Sequence, residues 1–276
     1  QKKKEEEKEK IELQEKLEGK KVRIVFPEAY DERVLEAAVK LSATNYVQPV
    51  LVGKKEKVEE LAQPLFLNVS GIEFVDHENY EKYDEMVAKF VERRAGKVNE
   101  EKARELLQDV NYFGTMLVYM GEVEGLVSGA IHSTGDTVRP ALQIIKTKPG
   151  VSRTSGAFIM SRNASRFIFA DCAINTTIDA QGLAEIAVES AKTAKAFNIN
   201  PKVAMLSFST YGSAKTEETL KVAEATKLVR EKAPTLPVGG EMQFDAAYVP
   251  PVAKLKAPNS EIQGDANVFI FPSLEA

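Results

Sequence analysis

The 276-residue sequence predicts an α/β fold of two domains with mainly parallel sheets. Three observations carry that prediction. Short β-branched or aromatic runs alternate with longer helix-periodic segments, the rhythm of βαβ units. Composition shifts at Lys146-Thr147-Lys148-Pro149-Gly150, which reads as a junction. The 43% of hydrophobic residues is enough to bury a substantial core. The first domain is expected over 1–147, with 1–21 as a charged helix or tail, and the second over 148–276.

Val22 to Phe26 is the first expected strand, stopped by Pro27. Asp31 then starts a helix striped by Val34, Leu35, Ala38 and Leu41. Pro49 to Gly53 forms the next strand, so this βαβ unit implies parallel pairing with a right-handed crossover. Ile72 to Val75 adds a strand, Tyr83, Val87 and Phe90 stripe a helix, and Glu100 to Met120 reads as largely helical. Gly125 to Ala130 is expected as a buried strand ending in small residues. Past the junction come apolar runs at 157–160 and 167–170, then a helix striped by Leu183, Ala187, Ala191 and Ala194. Val203 to Phe208 is a strand, Val222, Ala225 and Val229 mark a helix, and Phe244 to Val249 and Asn267 to Phe271 are expected as strands.

Composition also excludes function classes. No apolar run approaches the roughly 20 residues that span a bilayer, and no signal-peptide core is present. A soluble, cytoplasmic protein is expected. One cysteine, Cys172, permits no internal disulfide and no cysteine metal cage. With 37 Lys+Arg against 41 Asp+Glu, the net charge of −4 argues against general nucleic-acid binding. Only two histidines, His77 and His132, leave little material for a histidine metal site or a Ser-His-Asp triad. Eight Lys and seven Glu crowd residues 1–21, the pattern of a solvated helix.

The segment from Ser128 to Pro140 is the most informative. It runs from a strand through a small polar loop into a helix start, where free backbone N–H groups and the helix dipole favour an anion. Ser133, Thr134 and Thr137 add hydroxyls, and Arg139 adds a guanidinium fork that can hold a phosphate by two hydrogen bonds. The competing reading has Asp136 or Thr137 capping the helix and Arg139 paired to a surface carboxylate. The loop from Ser209 to Lys215, with Ser209 and Thr210 as candidate substrate ligands, repeats the arrangement in the second half. It matches neither the Walker loop nor the dinucleotide fingerprint. Arg93 and Arg94 end a helix, where cations are also ordinary stabilisers. Asp171 beside Cys172 would raise the thiol pKa, which fits a packing role. His132 fits either a general acid or base or a hydrogen-bonded loop histidine.

Several segments together resemble the phosphate acetyltransferase (phosphotransacetylase) family, the phosphate acetyl/butyryltransferases. They are 110–116 (Val-Asn-Tyr-Phe-Gly-Thr-Met), 128–140, 146–156, 169–173 (Phe-Ala-Asp-Cys-Ala), 205–210, 240–247 (Gly-Glu-Met-Gln-Phe-Asp-Ala-Ala), 256–258 and 266–272. The likeness covers about residues 20–276 in one order. It implies reversible transfer of an acetyl group between acetyl phosphate and the thiol of coenzyme A, by direct thiolate attack in a ternary complex. It implies two α/β domains with a cleft between them, similar to the isocitrate/isopropylmalate dehydrogenase fold, and a homodimer. Coenzyme A is then a substrate and no cofactor is tightly bound. The family's phosphate-holding arginines fall on Arg94 and Arg139.

Gly135 and Tyr211 stand where the family more often has Ala and Lys, and the loop 162–165 is short for it. The family also continues past Ala276 into a segment whose NDLSRG motif and nearby aspartate supply a serine, an arginine and the thiol base. No residue of this sequence takes those roles. Other expectations compatible with the sequence are a butyryl-transferring relative and a non-catalytic binder of coenzyme A or acyl phosphate.

Overall fold

The computed structural model describes residues 19, 21–162 and 165–276. The charged helix expected over 1–21 and the tip of the 162–165 loop lie outside the described residues, Gly19 and Lys21 apart. The chain divides into two compact units, with Lys146 ending the first and Thr147 opening the second.

In the first unit, β1 (Val22–Phe26), β2 (Val47–Val52), β3 (Glu73–Val75) and β4 (Gly125–Leu126) form one sheet in the order β3-β2-β1-β4. Every pair in it is parallel. Strand side chains alternate between faces, and the core follows that rule. Val25, Val50 and Val52 pack on one face against α3 (Tyr83–Arg94) and α5 (Val110–Tyr119), through Phe90, Phe113 and Met116. Phe26 and Leu51 pack on the other against α1 (Glu32–Ser42) and α2 (Lys55–Ala62), through Leu35, Ala38 and Val58. Asp31 caps α1 by accepting from the amides of Arg33 and Val34, as its position predicts.

The helical stretch expected from Glu100 to Met120 is two helices, α4 (Glu100–Leu106) and α5. Asp109 separates them because its carboxylate accepts from the amides of Asn111 and Tyr112 and restarts the chain as a helix. The strand expected at 125–130 stops at Leu126, half-buried rather than buried, and Val127 is exposed. Its last amides turn away from the sheet toward Glu28, as described below. α6 (Thr134–Ile144) follows and carries Pro140 in its interior, which removes one helical N–H.

In the second unit the sheet order is β5-β6-β9-β7-β8, formed by β5 (Ala157–Arg162), β6 (Ser165–Ala170), β7 (Val203–Leu206), β8 (Val238–Met242) and β9 (Val268–Ile270). Only the β5/β6 pair is antiparallel. Ile168, Ala170, Val203, Met205, Val268 and Ile270 face α7 (Ala180–Ala196) and α8 (Glu217–Lys232). The other face packs Ala204, Leu206 and Phe269 with α9 (Phe244–Tyr248) and α10 (Pro250–Lys256).

The strand expected at 244–249 is therefore helical. Short apolar runs do not distinguish the two by periodicity, and here Ala246 and Ala247 bury on one side while Phe244 and Tyr248, one turn apart, stack at 5.7 Å. β8 escaped the sequence reading because of its two glycines. A Cβ at Gly240 would lie 2.6 Å from the Met205 Cβ, and one at Gly239 would lie 2.8 Å from the Ser260 Oγ. The strand needs glycine because its neighbours approach so closely.

Candidate functional site

The order β3-β2-β1-β4 means that the chain builds the sheet outward from β1 to β3, then returns to place β4 on the other side of β1. The crevice beyond the carboxyl ends of β1 and β4 is thus a topological switch point, where open α/β sheets bind ligands. Two loops meet there, residues 27–31 after β1 and residues 127–133 after β4. A hollow of about 280 Å³ beside them is lined by Phe26, Glu28, Arg33, Val127, Ser128 and Ala130.

Glu28 organises this crevice. Its Oε2 accepts from the amides of Gly129 (3.0 Å) and Ala130 (2.7 Å). Its Oε1 accepts from the amides of Ile131 (3.0 Å) and His132 (3.1 Å) and lies 2.7 Å from the His132 Nδ1. Burial pushes this carboxyl up, but the bonds from Ile131, His132 and Ala130 outweigh it and hold the pKa at about 2. Four amides that the sequence offered to an external anion are therefore already filled by an internal one. Arg33 fixes the loop from the other side by donating to the Ala130 carbonyl (2.9 Å).

The candidate residues of the first unit surround the next turn. Ser133 is the N-cap of α6: its Oγ accepts from the Asp136 amide (3.2 Å) and donates to Asp136 Oδ2 (2.6 Å). The cap is Ser133 rather than Asp136 or Thr137. Thr134 is the first helical residue and is exposed. The Thr137 Oγ1 is buried and finds no partner among the described residues, 3.6 Å from where a Cβ on Gly129 would stand. Arg139 pairs loosely with Asp136 (3.3 Å), both of them about half exposed.

Arg94 reaches the same region from the end of α3. It donates to the Gln143 carbonyl (3.2 Å), while its buried Nε has no partner among the described residues. Arg93 takes a different course, donating to the carbonyls of Ile144 (2.5 Å) and Ile145 (2.9 Å), so it closes the end of α6. The Tyr112 hydroxyl donates to the side chain of the same residue, Gln143 Oε1 (3.1 Å). Burial raises the Tyr112 pKa, and the charges of Arg139 and Arg94 both oppose that rise. Gln143 of α6 thus ties Arg94 and Tyr112 to the helix that carries Arg139. Buried Asn111 sits behind, accepting from Ser128 Oγ (2.5 Å) with its Nδ2 unpartnered among the described residues.

In the second unit, the loop between β7 and α8 is held from within. Ser209 is fully buried; its Oγ donates to Glu241 Oε1 (3.0 Å) and accepts from the Ala214 amide (3.0 Å). The Thr210 Oγ1 donates to Gln243 Oε1 (3.4 Å) and accepts from the Gln243 amide (3.0 Å). Both hydroxyls therefore shape the loop, and its exposed side chains include Phe208 and Tyr211. After β6, buried Asp171 gathers the amides of Gly156, Ala173, Ile174 and Asn175, the same device as Glu28. Burial and the Asp171 charge push the Cys172 thiol up, away from the reactive thiolate.

The sequence reading missed Glu28, Asn111 and Gln143 in the first unit and Glu241 and Gln243 in the second. An acid directly after a strand stopped by proline was the available signal for Glu28. Among the described residues no cluster of His, Cys, Asp or Glu is arranged to hold a metal ion, and no helix is long and apolar enough to cross a membrane.

The family model described as phosphate acetyl/butaryl transferase matches residues 9–276. The chain is 60% identical over 264 residues to a phosphate acetyltransferase of Bacillus subtilis, covering 96% of this chain and 82% of that protein. It superposes on a phosphotransacetylase from Streptococcus pyogenes with a TM-score of 0.92 at 52% identity, over 98% of this chain and 82% of the other. A putative 4-hydroxythreonine-4-phosphate dehydrogenase from Salmonella typhimurium, at 14% identity and a TM-score of 0.51 over 90% of this chain and 80% of its own, shares the fold alone. The chain belongs to the phosphate acetyl/butyryl transferase family.

Proposed function

We propose that this chain is a phosphate acetyltransferase that moves an acetyl group reversibly between acetyl phosphate and coenzyme A. The observation that supports the residue roles is that Arg94 reaches across to the Gln143 carbonyl of α6, the helix that also carries Arg139. In one direction the thiolate sulfur of coenzyme A attacks the acetyl carbonyl. The S–C bond forms, the C–O bond to phosphate breaks, and phosphate leaves with the bonding pair. The thiol proton ends on phosphate at neutral pH, so atoms and charge balance.

Arg139 and Arg94 hold the phosphoryl oxygens and stabilise the charge that grows on them as the bond breaks. The Arg139–Asp136 contact is a half-exposed ion pair of the kind worth about 0–1 kcal/mol. A phosphate dianion can therefore draw the guanidinium off Asp136, which keeps its bond from Ser133. Thr134 and the Ser133 cap present the first turn of α6 to the phosphate, and the Thr137 hydroxyl supports it from behind. Ser209 and Thr210 serve coenzyme A by shaping the loop that carries Phe208 and Tyr211.

We place the enzyme in the cytoplasm, where coenzyme A is available, as a homodimer. The dimer reading is supported by β5, exposed along its whole length with Phe158, Ile159 and Met160, and by an aromatic hollow of about 340 Å³ lined by Phe167, Phe169, Phe244, Tyr248 and Phe269. The test of the reaction is thiol consumption with acetyl phosphate and coenzyme A. Turnover would support the acetyltransferase reading, and saturable coenzyme A binding without turnover would leave a binding protein instead.

A further inference from the structure

On α6, Gln143 follows Arg139 by four positions, so the two side chains rise from one face of the helix, about 5–6 Å apart at Cβ. Arg94 comes to the same residue from α3, its Nη1 donating to the Gln143 carbonyl (3.2 Å). Gln143 thus neighbours one arginine by contact and the other by helical spacing. Its half-buried side chain ends in an amide, one oxygen that accepts and one nitrogen with two N–H donors.

Tyr112 decides which end of that amide is offered. It is 6% exposed and packs on Phe90 at 5.9 Å. Burial raises its pKa, so the phenol keeps its proton and must place it on an acceptor. The acceptor it has among the described residues is Gln143 Oε1, at 3.1 Å. A reversed amide would set N–H against the phenol oxygen and leave the phenol proton buried and unmet, which is costly. Oε1 is therefore occupied, and Nε2, with no partner among the described residues, keeps both donors free. The Arg94 Nε is likewise buried and unpartnered among them, and Arg139 has only its loose contact with Asp136. Donors in search of acceptors collect around this turn of α6. A phosphoryl group offers three peripheral oxygens, one for each set of donors.

We propose that Gln143 is a further substrate-contacting residue of this site, its Nε2 donating to a phosphoryl oxygen of the acyl phosphate, with Tyr112 as the positioning residue that fixes the amide orientation. The inference rests on the acyl-phosphate reading above. No protonation is required, because an amide nitrogen donates in its ordinary neutral form. Gln143 makes and breaks no covalent bond, and Arg94 and Arg139 supply the charge.

Three substitutions separate this role from a structural one. Gln143→Met keeps the length of the side chain and removes the donor. A bond from a neutral donor to an ionised oxygen is strong enough that its loss should lower kcat/KM for acetyl phosphate by roughly 10–100-fold, with KM for coenzyme A little moved. Gln143→Glu keeps an acceptor for Tyr112 and every contact of the folded chain, yet should fall at least as far, because it presents an anion to the phosphate. Tyr112→Phe leaves the ring in the core and frees the amide to turn, so it should lose less, roughly 3–10-fold. Added to Gln143→Met it should lower activity no further, since Tyr112 acts through the amide. Thermal unfolding of each variant checks that it is folded.

A second readout needs no turnover. Inorganic phosphate titrated into the protein by calorimetry should bind roughly 10-fold or more weakly in Gln143→Met. The Gln143 amide resonance, identified as the side-chain cross-peak lost in that variant, should shift saturably in the wild type as phosphate is added. Wild-type kcat/KM in folded Gln143→Met, or phosphate binding that does not change, overturns the proposal. Additive losses in the double variant overturn the part given to Tyr112. Phosphate binding that depends on Gln143 in a protein that does not consume acetyl phosphate would support the contact and overturn the reaction assigned above.

Discussion

Arg139 is the side chain on which the phosphate assignment most depends. Removing its fork should cost transition-state stabilisation of the size seen for a single oxyanion donor, so Arg139→Ala should lower kcat on acetyl phosphate by about 10²–10³-fold. Unchanged steady-state kinetics would remove Arg139 from the site. Gly135 gives a prediction of opposite sign. A Cβ there would stand 3.8 Å from both Arg139 and Ser133, an ordinary contact, and its φ is not in the left-handed region. Gly135→Ala should therefore stabilise the protein by up to about 1 kcal/mol in urea titration while leaving the fold intact. Glu28 ties stability to pH. Its carboxyl falls from 4.5 to about 2 on folding, so its contribution is complete above the unfolded value and lost as pH falls from 4.5 toward 2. That difference corresponds to about 3 kcal/mol. Acid unfolding followed by circular dichroism should begin within that window, and Glu28→Gln should flatten the pH dependence there.

At the scale of elements, most helices and strands were legible because their stripes are long and regular. Leu183, Ala187, Ala191 and Ala194 define the buried face of α7, and all four are buried. The small residues on that face let the helix lie close to its sheet. Ala187→Leu should overpack it and cost about 1–3 kcal/mol, read as a lower urea midpoint. The misreadings fell where the pattern is short or interrupted. The run 244–249 is too brief for its period to distinguish strand from helix, and β8 hides behind two glycines whose need is visible only once Met205 and Ser260 are beside them. β4 ends early because Glu28 competes successfully for the amides that would have continued it.

At the scale of the molecule, each unit carries its own sheet with apolar layers on both faces. Residues 147–276 expressed alone are therefore expected to unfold in one cooperative thermal transition, and a gradual melt would show that the unit depends on the rest of the chain.

The sequence by itself determined the α/β alternation, the change of unit near residue 147, the family, and Arg94 and Arg139 as the fork-bearing candidates. Each of these is written in local patterns or in motif order, which need no knowledge of distant contacts. Only the tertiary structure decided what the loop before α6 does with its amides. Glu28 lies about a hundred positions away along the chain, yet it fills the cluster that looked open to a ligand and holds the His132 ring as well. Hydrogen-bond partners across such separations are chosen by strand order, and strand order is a property of the folded sheet rather than of any segment within it.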